Sequence, residues 1–114
     1  MKILLTGATG FLGRHIVERL SREGADIVSI MRPTSRIDHL KDYDIDFITG
    51  NIREKEILEK AMKGVDAVVH AVKTNFGTWN DFYEENVKST EMLLELSRKH
   101  KVKRFVFLSS IDVY

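Results

Sequence analysis

Apolar runs of strand length alternate with stretches whose apolar residues recur every three to four positions, and the alternation continues along the chain. Residues 2–5 (KILL) are a short β-rich run; residues 11–23 then place Leu12, Ile16, Val17 and Leu20 on one helical face, and Gly24 ends that helix. Residues 26–31 (DIVSIM) predict a second strand, closed by Arg32-Pro33 because proline cannot continue a paired strand. Residues 32–43 are expected to be a polar connection and residues 45–49 (IDFIT) a third strand. After Gly50 comes a helix with Ile57, Leu58, Ala61 and Met62 on one face, with Gly64 placed to cap it. The nearly continuous apolar run 65–72 (VDAVVHAV) has the pattern of a strand covered on both faces. Beyond a loop at 73–80, a long helix to about position 100 is predicted to bury Val87, Thr90, Leu93, Leu94 and Ser97, and residues 104–109 (RFVFLS) predict a fifth strand.

Strand and helix alternating in this way imply right-handed crossovers and an α/β fold with a doubly wound parallel sheet. The expected strand order is 3-2-1-4-5, within a single domain spanning residues 1–114. The switch point then falls between the first and fourth strands, and a ligand is expected over the carboxyl ends of those strands. No internal repeat, low-complexity segment or linker interrupts this reading.

Composition narrows the function classes. A chain of 114 residues with 43% hydrophobic content is the size of one domain with one core. Lysine and arginine number 18 against 17 acids, and a net charge of +1 provides no electrostatic footprint for nucleic acid or an anionic membrane. Cysteine is absent, which excludes disulfides and thiolate ligands. The start MKILLTG lacks the long apolar stretch of a signal peptide, and no apolar run approaches the roughly 18 residues needed to cross a bilayer. A cytoplasmic protein is the expectation.

The stretch TGATGFLG, residues 6–13, lies where the fold places a ligand. Gly7 is expected to make the tight turn, Gly10 to let the backbone approach a pyrophosphate, and Gly13 to let helix and strand pack closely. The amides of Gly10, Phe11 and Leu12 would face the phosphates, aided by the positive end of the helix dipole. Thr9 belongs to the same turn. Further along are Gly50-Asn51-Ile52, Val69-His70-Ala71, Asn86-Val87 with Thr90, and KRFVFLSSIDVY.

The GxxGxxG spacing after Thr6, with these later stretches in order, resembles the extended short-chain dehydrogenase/reductase family of NAD(P)-dependent epimerases, dehydratases and reductases. The resemblance covers the whole chain and implies a Rossmann nucleotide-binding portion of an enzyme that moves a hydride to or from a carbon bearing a hydroxyl or carbonyl. In NAD-binding relatives an acid at the end of the second strand holds the adenosine ribose. Here that segment reads MRPTSR, so Arg32, with Arg36, stands where a 2′-phosphate would lie, and NADP(H) is favoured over NAD(H). The resemblance further implies that Asn51 and Ile52 flank the adenine, with the Asn51 amide oxygen accepting from its exocyclic amine. Asn51 replaces the family's aspartate. Ala71 and Val72 would pass under the ribose and pyrophosphate. Asn86 would be a cofactor-region or helix-positioning residue, followed by Ser89 in place of the family's glycine.

The last residues bear on catalysis. By resemblance, Ser110 is the serine that hydrogen-bonds the substrate carbonyl or hydroxyl, and Ser109 lies beside the nicotinamide. Tyr114 is the tyrosine of the family's Val-Tyr pair and not the acid/base. In the family a Tyr-x-x-x-Lys pair supplies that proton transfer, and no such pair occurs among the 114 residues. Dehydratases of the family carry Thr-Asp-Glu before Val-Tyr; Ser110-Ile111-Asp112 keeps only the second acid. His15, His39, His70 and His100 have no ligand spacing, so no metal site is expected. Trp79, Phe76, Phe82 and Tyr83 read as core or lid packing, and RKHKVKR, residues 98–104, as a solvated helix end. Three readings follow: the nucleotide-binding portion of such an enzyme, a non-catalytic NADP(H)-binding or sensing module, or an inactive structural fragment. The last would leave an exposed edge strand open to homo-oligomer formation.

Overall fold

In the computed structural model, which describes residues 1–71 and 79–108 except for the side chains of Asp81, Phe82 and Glu85, five strands form one parallel sheet. They are β1 (Lys2–Thr6), β2 (Asp26–Met31), β3 (Ile45–Thr49), β4 (Ala67–His70) and β5 (Arg104–Phe107). Their order is β3-β2-β1-β4-β5, as the alternating pattern predicts. The helices are α1 (Phe11–Arg22), α2 (Lys55–Ala61), α3 (Trp79–Phe82) and α4 (Ser89–Lys99), with a π-helical segment, Tyr83–Lys88, joining the last two.

Consecutive residues of β1 point into opposite cores, which is why a central strand must be apolar on both sides. Leu4 packs with Val28, Val68, Leu58, Met62, Leu93 and Leu96 under α2 and α4, while Leu5 packs with Ala8, Val17, Ile27 and Leu40 under α1. Each fully buried leucine contributes about 2 kcal/mol, so Leu4 and Leu5, both at 0% exposure, fasten the sheet to its two helical layers. Ser29 is buried in β2 without penalty because its hydroxyl donates to the Leu5 carbonyl at 2.6 Å.

Several elements differ from the sequence expectation. The fourth strand is shorter than its apolar run: Val65 is buried in the core but outside the ladder, its N–H donating to the Met62 carbonyl. The connection after β2 is not wholly polar, for a 3₁₀ turn, Asp38–Leu40, inserts Leu40 into the α1-side core at 1% exposure. The long helix is not uniform. Its π-helical turns reset the angular count, so Leu94 is 49% exposed while Leu96 takes the buried position beside Leu93. On α1, Leu12 leaves the core face and is 53% exposed, with Gly13 buried in its place. The β5 strand is an edge, and its Val106 and Phe107 are 43% and 52% exposed.

Candidate functional site

The turn between β1 and α1 is built around one carbonyl, that of Gly7. Gly7 has φ 80°, a left-handed conformation that favours glycine. Its carbonyl accepts the Gly10 N–H at 3.2 Å and closes the turn. A Cβ at Gly13 would lie 1.8 Å from that oxygen, so no side chain is compatible with the helix at this depth. Gly10 is different. Its φ of −80° is ordinary, and a Cβ there would meet only the Gly7 carbonyl, at 3.5 Å. Nothing within the protein requires glycine at position 10.

Gly10 also forms the N-cap of α1 without a side-chain bond, and the first turn of the helix contains no acid. The positive end of the helix dipole is therefore left uncompensated by carboxylates, at the edge of a cleft of about 420 Å³. The cleft spans the carboxyl ends of the inner strands. Thr6, Gly7, Thr9, Gly10, Phe11, Leu12 and Gly13 line it from the glycine turn, Ile30 and Arg32 from the end of β2, Gly50 and Ile52 from beyond β3, and Ala71 from beyond β4. Phe11 is 76% exposed at the mouth, its ring edge-on to His15 and under the Arg14 guanidinium at 5.6 Å.

The predicted residues thus separate into three groups. Gly7, Thr9, Gly10, Phe11, Leu12, Gly13, Arg32, Ile52 and Ala71 come together in the cleft. Arg36, Asn51 and Asn86 do not line it. Val72, Ser109 and Ser110, like Phe76, Asp112 and Tyr114, lie outside the described residues. Asn51 makes local bonds: its Oδ1 accepts the Arg53 N–H at 2.9 Å, and Glu54 Oε1 accepts the Asn51 N–H at 3.2 Å. This reciprocal turn leads the chain into α2, a task that an asparagine or an aspartate performs alike. Asn86 sits in the π-helical segment, where its carbonyl accepts the Thr90 hydroxyl.

Two residues that the sequence reading missed, Thr34 and Ser35, complete the wall beside Arg32. The Ser35 N–H donates to the Arg32 carbonyl at 2.9 Å, and Ser35 Oγ accepts the Arg32 N–H at 3.1 Å. Pro33, with its fixed φ, occupies the position that proline favours in such a four-residue turn, which sets Thr34 and Ser35 on the cleft wall. The signal was available in the RPTS stretch, a turn sequence immediately after a strand.

His70 ends β4 opposite Thr6 and is buried, which lowers its pKa from 6.5 to about 4 by desolvation, so the ring is neutral at ordinary pH. Among the described residues no group of three or more His, Cys, Asp or Glu could hold a metal ion, and no helix is long and apolar enough to cross a membrane.

A parallel sheet in this order, a glycine turn leading into a helix, and a cleft at the switch point together define a Rossmann-type nucleotide-binding protein. The family model described as the NAD dependent epimerase/dehydratase family matches residues 3–114, and the chain belongs to that family. UDP-glucose 4-epimerase of Neisseria meningitidis serogroup C is 33% identical over 127 residues, covering 99% of this chain and 38% of that protein. The crystal structure of UDP-glucose 4-epimerase from Thermotoga maritima, determined with UDP-glucose, superposes with a TM-score of 0.86 at 25% identity over 96% of this chain and 38% of that one. A short-chain dehydrogenase/reductase superfamily protein from Agrobacterium tumefaciens, crystallised with bound NAD, gives a TM-score of 0.79 at 29% identity over 96% of this chain and 33% of that one. The chain spans about a third of the length of the curated relatives it matches.

Proposed function

We propose that this chain provides the nicotinamide-dinucleotide site of an oxidoreductase or epimerase acting on a hydroxyl- or carbonyl-bearing substrate by hydride transfer. The observation that carries the reading is Gly10: the fold has space for a side chain there, so the glycine answers to something outside the protein, and a pyrophosphate against the α1 amides is what the position fits. When bound, the nicotinamide would supply the hydride donor or acceptor. The chain's own residues bind and orient. Gly10, Phe11 and Leu12 amides would hold the phosphates, Ile52 would flank the adenine and Ala71 would pass under the ribose and pyrophosphate, while the family resemblance assigns Ser109 to the nicotinamide and Ser110 to the substrate oxygen. Acid/base work would fall to a Tyr-x-x-x-Lys pair, which does not occur among the 114 residues.

NADP(H) is the preferred form in this reading. No acid stands at the end of β2, Arg32 lines the cleft there, and Thr34 and Ser35 bring two hydroxyls to the same wall. A guanidinium on a 2′-phosphate is a charge-assisted contact worth about 1.5–3 kcal/mol. Isothermal titration should therefore show NADPH binding at least about tenfold more tightly than NADH, with Arg32→Asp abolishing the difference. Equal affinities that Arg32→Asp leaves unchanged would remove the NADP(H) assignment. Gly10→Ala should weaken both dinucleotides while changing the chain's stability by no more than about 1 kcal/mol; unchanged binding would sink the pyrophosphate assignment itself.

A further inference from the structure

His70 occupies the last paired position of β4, opposite Thr6, and is 1% exposed. Thr6 Oγ1 lies 2.6 Å from its Nδ1, and Thr90 Oγ1 lies 2.9 Å from its Nε2. A third bond fixes the direction of these two. The Thr90 hydroxyl donates to the Asn86 carbonyl at 2.6 Å, so its oxygen accepts from the ring and Nε2 carries the hydrogen. With the ring neutral, Nδ1 is then a lone pair, and the Thr6 hydroxyl donates to it. The Thr6 oxygen in turn accepts the Ala71 N–H at 3.1 Å. Every bond runs the same way, from Ala71 through Thr6, His70 and Thr90 to Asn86.

The two ends of this chain belong to different parts of the molecule. Thr6 and Ala71 line the cleft at the switch point, whereas Thr90 and Asn86 do not touch it. Thr90 and Asn86 belong instead to the π-helical segment and the first turn of α4, whose wide backbone is held by two hydroxyls. Ser89 Oγ donates to the Glu84 carbonyl at 3.0 Å, and Thr90 Oγ1 donates to that of Asn86. A π-helical stretch is rare and persists where specific contacts hold it, frequently next to functional sites. The rings of Phe105 and Phe107 stand 6.4 and 5.7 Å from the imidazole, centroid to centroid, and pack beside it.

We propose that His70 is a positioning residue for the dinucleotide cleft: as the Nε2–H tautomer it locks the cleft floor, Thr6 and Ala71, to the π-helical segment, so that the geometry of that segment sets the affinity of the cleft. This rests on the dinucleotide reading above. The consequence is that Thr90, half-buried and outside the cleft lining, controls ligand binding through the His70 ring.

Two measurements on the full 114-residue chain test it. Heteronuclear NMR of the ligand-free chain at neutral pH should show the His70 ring protonated on Nε2 and bare on Nδ1; the opposite tautomer, or an imidazolium, overturns the proposal whatever the ligand. Titration with NADPH well below the unfolding temperature should show Thr90→Val weakening binding about tenfold and Thr90→Ser, which keeps the hydroxyl, staying within about twofold of the unsubstituted chain. His70→Gln, which retains a donor toward Thr90 but loses the acceptor for Thr6, should weaken binding as Thr90→Val does. If the unsubstituted chain binds NADPH and Thr90→Val binds it equally well, the coupling is refuted while the dinucleotide reading stands. If the unsubstituted chain binds neither NADPH nor NADH, that reading falls and this one with it.

Discussion

The two sides of the switch point between β1 and β4 are held in place by different physics. On the β1–α1 side, the glycine turn is set by exclusion: the Gly7 carbonyl leaves no volume for a side chain at position 13. On the β4–β5 side, the π-helical segment is set by hydrogen bonds, with His70 bonded to Thr90 and the Ser89 and Thr90 hydroxyls bonded to the carbonyls of Glu84 and Asn86. A sterically fixed turn tolerates changes of charge and pH. A segment fixed by hydrogen bonds responds to both, because each bond depends on a protonation state or a hydroxyl.

The most damaging change should be Gly13→Ala, since its Cβ would land 1.8 Å from a backbone oxygen that cannot swing aside. A loss of at least about 3 kcal/mol is expected in urea denaturation. A loss below about 1 kcal/mol would mean that the turn is not set by exclusion. On the opposite side, the buried His70 should make stability pH-dependent. Its folded pKa, about 4, is below the 6.5 of the unfolded chain, so between these values the unfolded state binds a proton that the folded state does not. The contribution is complete above about 6.5, declines as pH falls, and is gone near 4, a change on the order of 3 kcal/mol. Denaturation midpoints compared between the unsubstituted chain and His70→Gln across this window should diverge at the upper end and converge at the lower. Parallel curves would rule out the buried neutral ring.

Smaller effects sharpen the contrast. Ser97 in α4 has a buried hydroxyl with no hydrogen-bond partner among the described residues, unlike Ser89 about two turns earlier, so Ser97→Ala should stabilise the chain by about 1 kcal/mol where Ser89→Ala destabilises it. Thermal unfolding of the two variants reads the difference in sign. Gly10→Ala should be the mildest, a net change within about 1 kcal/mol, because its φ suits any residue and the unfolded chain loses freedom while alanine is a poorer N-cap than glycine. A clear loss would show that position 10 is constrained by the fold after all.

What was legible in the sequence follows from which forces act locally. Residues 26–31 and 45–49 could be bounded because glycine or proline punctuates each, and the glycine spacing revealed the cleft because turn geometry fixes it within a few residues. Arg32 was placed by its position after a strand. The errors fall where a long-range contact substitutes for a local rule. Val65 is as apolar as the strand it precedes but packs without pairing, and Leu40 reaches the core from a loop whose composition reads as solvated. The π-helical register was hidden because hydroxyls at Ser89 and Thr90 look like ordinary polar helix positions until the carbonyls they serve are known. At Asn51 the sequence pointed to a ligand and gave no sign of the local bond its oxygen also makes to the Arg53 N–H.

The Gly7 carbonyl works as a measuring standard for the segment that follows it. One atom accepts the Gly10 N–H, grazes the space in front of position 10 and bars position 13, so three positions are read from a single point. Substitutions at Thr9 or Leu12 change the composition of the motif but not its span. Inserting or deleting one residue between 7 and 13 misaligns all three readings together. The span of the motif is therefore held more tightly than the identity of the residues between its glycines.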